Sequence, residues 1–145
     1  MAVASLNEII QSYIRRRNAI NLDLTNYSNQ KTLSTSQTAD LAGWKNTRYQ
    51  AIRTEYKNIF SMTYKNNEKY TYVDYSELPE YQDEISYVDS YYEARMEDLT
   101  AWETQLDSQI TTINTELSEI NSYIDSFKQM VSSNIKVDYN YGTNS

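Results

Sequence analysis

Apolar and aromatic side chains recur three and four residues apart along most of this chain, and almost nothing interrupts them. From Val3 the spacing passes through Leu6, Ile10, Tyr13, Arg17, Ile20, Leu24, Tyr27 and Lys31, alternating threes and fours. From Leu99 a second run passes through Trp102, Leu106, Ile110, Ile113, Leu117, Ile120, Ile124, Phe127 and Val131, with a stutter where Leu106 and Ile110 follow at two successive fours. An α-helix gathers residues at this spacing onto one stripe, so each run predicts a long helix whose stripe needs a partner. Two glycines and one proline in 145 residues leave little to end such helices.

The first seam turns polar at Lys31, Ser34 and Thr38. The stretch from Ser34 to Asp40 supplies N-cap side chains ahead of a further run, Leu41, Lys45, Tyr49, Ile52, Tyr56 and Ile59. The N-terminal arm, residues 3–65, is therefore either one helix or two, broken near 34–40. Asn66-Asn67 is a turn signal, and Lys69 to Tyr75 alternates like a short strand or extended segment. Ser76 then offers a cap, Pro79 suits a first turn, and Glu77, Glu80, Asp83 and Glu84 suit the positive end of a helix dipole. A long C-terminal helix is expected over 77–133, followed by an extended tail over 134–145, where the period fades into turn-forming residues.

Two arms of nearly equal length joined by a Tyr-rich turn over 66–76 predict an all-α fold: a long antiparallel helical hairpin or coiled coil, becoming a three-helix arrangement if the first arm breaks. Centring the turn there sets residue i opposite roughly 142 minus i, with Leu41 and Trp44 near Leu99 and Trp102, and Ala51 near Ser90. Charge agrees with antiparallel folding. Residues 1–65 hold 9 Lys/Arg against 4 Asp/Glu, while 66–145 hold 4 against 16. That register places Lys45 and Arg48 beside Glu93, Glu97 and Asp98, Arg53 near Asp89, and Lys57 near Glu84, where coiled coils commonly set orientation. Each exposed pair contributes only about 0.5 kcal/mol, so such pairs select a register more than they hold it.

Composition excludes much of chemistry. There is no histidine and no cysteine, hence no imidazole acid/base, no thiolate nucleophile, no disulfide framework and no ordinary zinc site, and two glycines cannot form a phosphate-cradling loop. Acidic pairs such as Glu93/Glu97 share a helix face, but a catalytic pair needs a water-poor pocket to drive its pKa values apart, and a thin hairpin offers none. We therefore expect no enzyme, no cofactor and no metal. No apolar run approaches the ~20 residues of a membrane span, and the start of the chain has no basic segment ahead of a hydrophobic one. The expectation is a soluble protein without a cleavable signal peptide, cytoplasmic or exported by a signal-independent route.

Two features stand out as candidate interaction surfaces. Tyr64, Tyr70, Tyr72, Tyr75 and Tyr81 crowd the turn; tyrosine gives a large amphipathic contact surface with only two torsions to freeze, suited to proteins or stacked sugars. The competing reading is that these rings cap the open end of a thin bundle. Arg15, Arg16 and Arg17 make a collar around one helical turn; with a sequence pI near 4.6 and no other basic cluster beside it, pairing with Asp125 or a neighbouring chain is favoured over nucleic acid.

Ile14, Leu22 and Leu33 lie off the first seam, and a two-helix structure rarely covers such residues, so the expected partner is the chain itself or another helical protein. The functional expectation is a structural or assembly subunit forming an oligomer or filament. A bacterial or phage source is expected, and in style the chain is similar to the axial proteins of secretion needles and flagella, helical hairpins without cysteine, a similarity of composition and shape and not of motif. The alternatives are an intracellular coiled-coil adaptor or chaperone-like binder, and a protein- or glycan-binding module using the Tyr-rich tip.

Overall fold

A computed structural model describes residues 2–143 of the chain, with side chains over 2–136. It is all-α: helix α1 (Val3–Ile59), a π-helical turn (Phe60–Tyr64), a loop holding a short 3-10 turn (Tyr75–Glu77), and helix α2 (Pro79–Thr143), with α1 and α2 antiparallel as a hairpin. There is no strand among the described residues. Lys69 to Asp74 forms neither helix nor strand.

Helix α1 does not break at residues 34–40. Ser34 is fully buried and Thr38 half-buried, so these small polar residues keep their places on the seam. Thr38 satisfies its hydroxyl on the carbonyl oxygen of Ser34 at 3.0 Å, a bond made inside the helix that leaves its backbone ladder intact. The capping potential of the stretch is thus overridden by continuity of the seam, and no third helix forms.

The helix ends short of residue 65. After Ile59 the backbone widens into the π-helical turn, closed by the Lys65 N–H donating to the Phe60 carbonyl at 2.8 Å. Asn66 then takes φ 61°, the left-handed conformation that asparagine tolerates better than most residues, and turns the chain out of the helix. Helix α2 begins at Pro79 and not at residue 77. Ser76 does not cap it: its hydroxyl donates to Asp74 Oδ2 at 2.8 Å. Leu78, extended as a residue before proline prefers, offers its carbonyl to the Gln82 N–H at 3.1 Å and so opens the helix. At the other end α2 continues through Thr143 where an extended tail was expected. No proline follows Ser133 and the only glycine is Gly142, so nothing stops propagation; Asn144 and Ser145 lie outside the described residues.

These boundaries shift the register. Arg17 meets Asn121, Lys31 meets Asp107 and Tyr49 meets Asp89, so residue i faces about 138 minus i, one helical turn away from the register expected from a turn centred on residues 66–76. Helix α1 stops earlier and α2 starts later than the sequence implied, which moves the centre of the connection by two residues and the pairing by four. Ala51 is accordingly not opposite Ser90.

The chain divides into two compact units. The first comprises residues 1–31 with 105–145, the second residues 32–104. In the first, Ile10, Ile120 and Ile124 are buried together, with Tyr13, Ile14, Ile20, Phe127 and Val131 packed around them. Tyr13 stacks on Phe127 at 5.8 Å and leans on Tyr123 at 5.5 Å. In the second, Ile52, Tyr56, Leu78 and Val88 form the core, covered by Tyr49, Ile59, Phe60 and the rings of the loop.

Candidate functional site

The tyrosines at the hairpin end come together as a packed aromatic group. Tyr64 receives Tyr70 and Tyr72 edge-on at 4.6 and 5.6 Å and lies over Phe60 at 6.4 Å. Tyr75 meets Tyr81 edge-on at 5.3 Å, and Tyr81 meets Tyr56 at 5.7 Å. Edge-to-face pairs at these separations set the positive ring edge on the negative face and are favourable beyond area alone. Tyr64, Tyr72, Tyr75 and Tyr81 pack on the Ile52–Leu78 core, so these rings cap it. Burial, then the nearby Glu84 carboxylate, raises the pKa of Tyr56 above its ordinary value of 10.0; desolvation, then Glu80, raises that of Tyr64. Exposed apolar surface at this end belongs instead to Met62 and Val73, 87% and 82% exposed.

The arginine collar is divided. Arg17 lies on the seam, half-buried, with its guanidinium donating to Asn121 Oδ1 at 3.4 Å and not to Asp125. Arg15 and Arg16 are exposed, and among the described residues neither has an ion-pair partner. The ion pairs expected along the second seam differ as well. Lys45 reaches Asp89 at 3.9 Å, not Glu93 or Glu97, and its ammonium sits over the Tyr92 ring at 4.2 Å. Lys57 lies 5.6 Å from the Tyr75 ring centre instead of meeting Glu84. Asp89, freed from Arg53, accepts a hydrogen bond from the Tyr49 hydroxyl.

The least expected feature is an open groove in the second unit. Its volume is about 420 Å³, and its apolar lining is Leu41, Trp44, Tyr91, Leu99 and Trp102. Gln37, Asp40, Arg95 and Asp98, all exposed, stand around it. Trp44 and Tyr91 are in tilted contact at 4.8 Å, and the Arg95 guanidinium lies 5.9 Å from the Tyr91 ring centre. The meeting of Leu41 and Trp44 with Leu99 and Trp102 was legible in the spacing. What the spacing did not show is that the meeting is left open: residues 35–51 and 89–104 include no fully buried side chain. The available signal was a conflict on the seam, where Leu41, Lys45 and Tyr49 follow at two fours, so the stripe drifts and a lysine falls where a small apolar residue would close the layer.

Among the described residues no cluster of three or more acidic side chains is placed to hold a metal ion, and no helix is long and apolar enough to cross a membrane. Compared with family models, with curated proteins and with solved structures, the chain matches none.

Proposed function

We propose that this chain is a non-enzymatic structural subunit that associates with copies of itself into an oligomer or filament. The observation that carries this reading is apolar surface left without cover by the hairpin's own packing. Both tryptophans line the open groove, while Leu22 is 71% exposed, Leu33 51% and Tyr87 70%. Large aromatic and aliphatic side chains gathered in an open groove are typical of interface anchors, whereas scattered single exposures need no explanation. The tip reading draws less support, because its rings are spent on each other and on the core.

Sedimentation velocity and negative-stain microscopy over a range of concentrations test the proposal. Growth into rings or fibres is the expected result. A monodisperse monomer at every concentration would refute it and favour the adaptor reading.

A further inference from the structure

The groove has one basic rim residue, Arg95, against two acidic ones, Asp40 and Asp98, so its net charge is negative and its floor is aromatic. A complementary surface therefore carries a basic side chain beside a modest apolar one. The chain has such a surface. Arg15, Ala19 and Leu22 are all exposed and stand at i, i+4 and i+7 on α1, one strip of a helix face, with exposed Arg16 beside it. Arg15 and Arg16 have no ion-pair partner among the described residues, so their charges are unspent. Arginine over an indole face gains from the ring quadrupole as well as from the carboxylates, which makes this pairing more specific than charge alone.

Building on the self-association reading, we propose that the groove between Trp44 and Trp102 receives the Arg15–Ala19–Leu22 face of α1 from a second copy of this chain. The strip lies in the first unit and the groove in the second, and the proposed contact joins these two surfaces from different molecules. The two surfaces are different, so the contact either is reciprocated, each strip filling the other copy's groove in a two-fold dimer, or runs head to tail and leaves an open groove on each copy that offers its strip. The head-to-tail form propagates into a ring or an open chain, the form that the oligomer or filament reading calls for.

The test is a charge exchange at four exposed positions that leaves both helices' cores untouched. One variant carries Arg15→Glu and Arg16→Glu, a second carries Asp40→Lys and Asp98→Lys, and circular dichroism checks that both remain helical. Each alone should lose assembly at concentrations where the parent assembles, because strip and groove then have the same sign. Mixing the two variants should restore it, and so should all four substitutions in one chain. Tryptophan emission supplies a second readout, since both tryptophans line the groove and should shift to the blue as the parent assembles. If the parent assembles but neither variant alters it, or its emission does not move, the groove is not the contact and this inference falls while self-association stands. If the parent stays monomeric at all concentrations, the functional proposal falls first; an emission shift on adding an arginine-rich peptide would then assign the groove to a different partner.

Discussion

Replacing Ile120 with aspartate strikes the most regular part of the seam, and its cost follows from where the side chain sits. Ile120 is 3% exposed and packs with Ile10 and Ile124. Losing an isoleucine's burial costs about 1.5–3 kcal/mol. A carboxylate left without a partner adds about 1–3 kcal/mol, at the lower end here because only two helices lie over it and the side chain can turn toward water. The expected loss is thus roughly 3–5 kcal/mol, against a total stability on the order of 7–20 kcal/mol for a chain of this length. In thermal circular dichroism that corresponds to a midpoint lowered by roughly 10–15 °C. Leu22→Asp is the matched control: the same chemical change on a residue 71% exposed should change stability by about 0.5 kcal/mol or less at dilutions where the chain is monomeric. If Ile120→Asp melts with the parent, or if the two variants fall equally, the stripe around Ile120 is not the core.

Cysteines placed at Lys31 and Asp107, whose charged ends stand 2.5 Å apart, should be joined by a short bifunctional reagent within one chain at high dilution, whereas a pair at Ala51 and Ser90 should react more slowly; joining only between chains would refute the hairpin. Gly43→Ala should raise stability by about 0.5–1 kcal/mol, because Gly43 lies within α1 where an added methyl group would meet nothing within 4 Å among the described residues, and a lowered melting midpoint would contradict that. Ser34→Ala should be neutral or stabilising by up to about 1 kcal/mol, since the buried Ser34 hydroxyl oxygen has no hydrogen-bond partner among the described residues; a clear loss in chemical denaturation would mean the hydroxyl is satisfied. The raised pKa of Tyr56 favours its neutral form in the fold, so that part of stability is intact below pH 10.0 and lost as pH climbs through the folded value. Melting followed across that range should show the decline, and Tyr56→Phe should make it shallower; an unchanged slope would contradict the assignment.

Long heptad runs were legible because their periodicity leaves one physical solution, a helix with a buried stripe. Ile10, Ile52, Leu106, Ile113, Ile120 and Ile124 are buried where the stripe put them. Capping signals were less decisive. Ser34 and Ser76 both look like caps in isolation, yet one is held inside the seam and the other bonds to Asp74. Both outcomes depend on what faces the residue, which spacing along one strand of sequence does not encode. The fading period after Ser133 was likewise a poor guide to the end of α2, since a helix already formed propagates until something breaks it. Of the candidate surfaces, the tyrosines were visible as a cluster, while their packing on the Ile52–Leu78 core and the opening between the tryptophans required the actual register.

The register itself shows which force decides. A pairing one turn over would bring the basic side chains of α1 toward the acidic clusters at Glu93, Glu97 and Asp98, and exposed pairs of that kind contribute about 0.2–1 kcal/mol each. The observed pairing instead lets Ile52, Tyr56, Leu78 and Val88 bury one another, each worth about 1.5–3 kcal/mol, over a connection fixed by the π-helical turn, Asn66 and Pro79. Packing therefore outweighs charge, and the charges are left over. Only Lys31 with Asp107 and Lys45 with Asp89 form ion pairs between the helices among the described residues, although the first 65 residues hold 9 basic side chains and the remainder 16 acidic ones. Opposite charges that the hairpin does not neutralise within itself remain on its surface, where they steer the approach of a second molecule and weaken with added salt. Assembly by the proposed contact should accordingly slow as ionic strength rises, while the melting midpoint of the isolated hairpin stays nearly constant, because the core that holds it carries no charge. Light scattering and thermal melts recorded over the same salt series separate the two, and a midpoint that falls in step with assembly would show that charge, after all, holds the hairpin together.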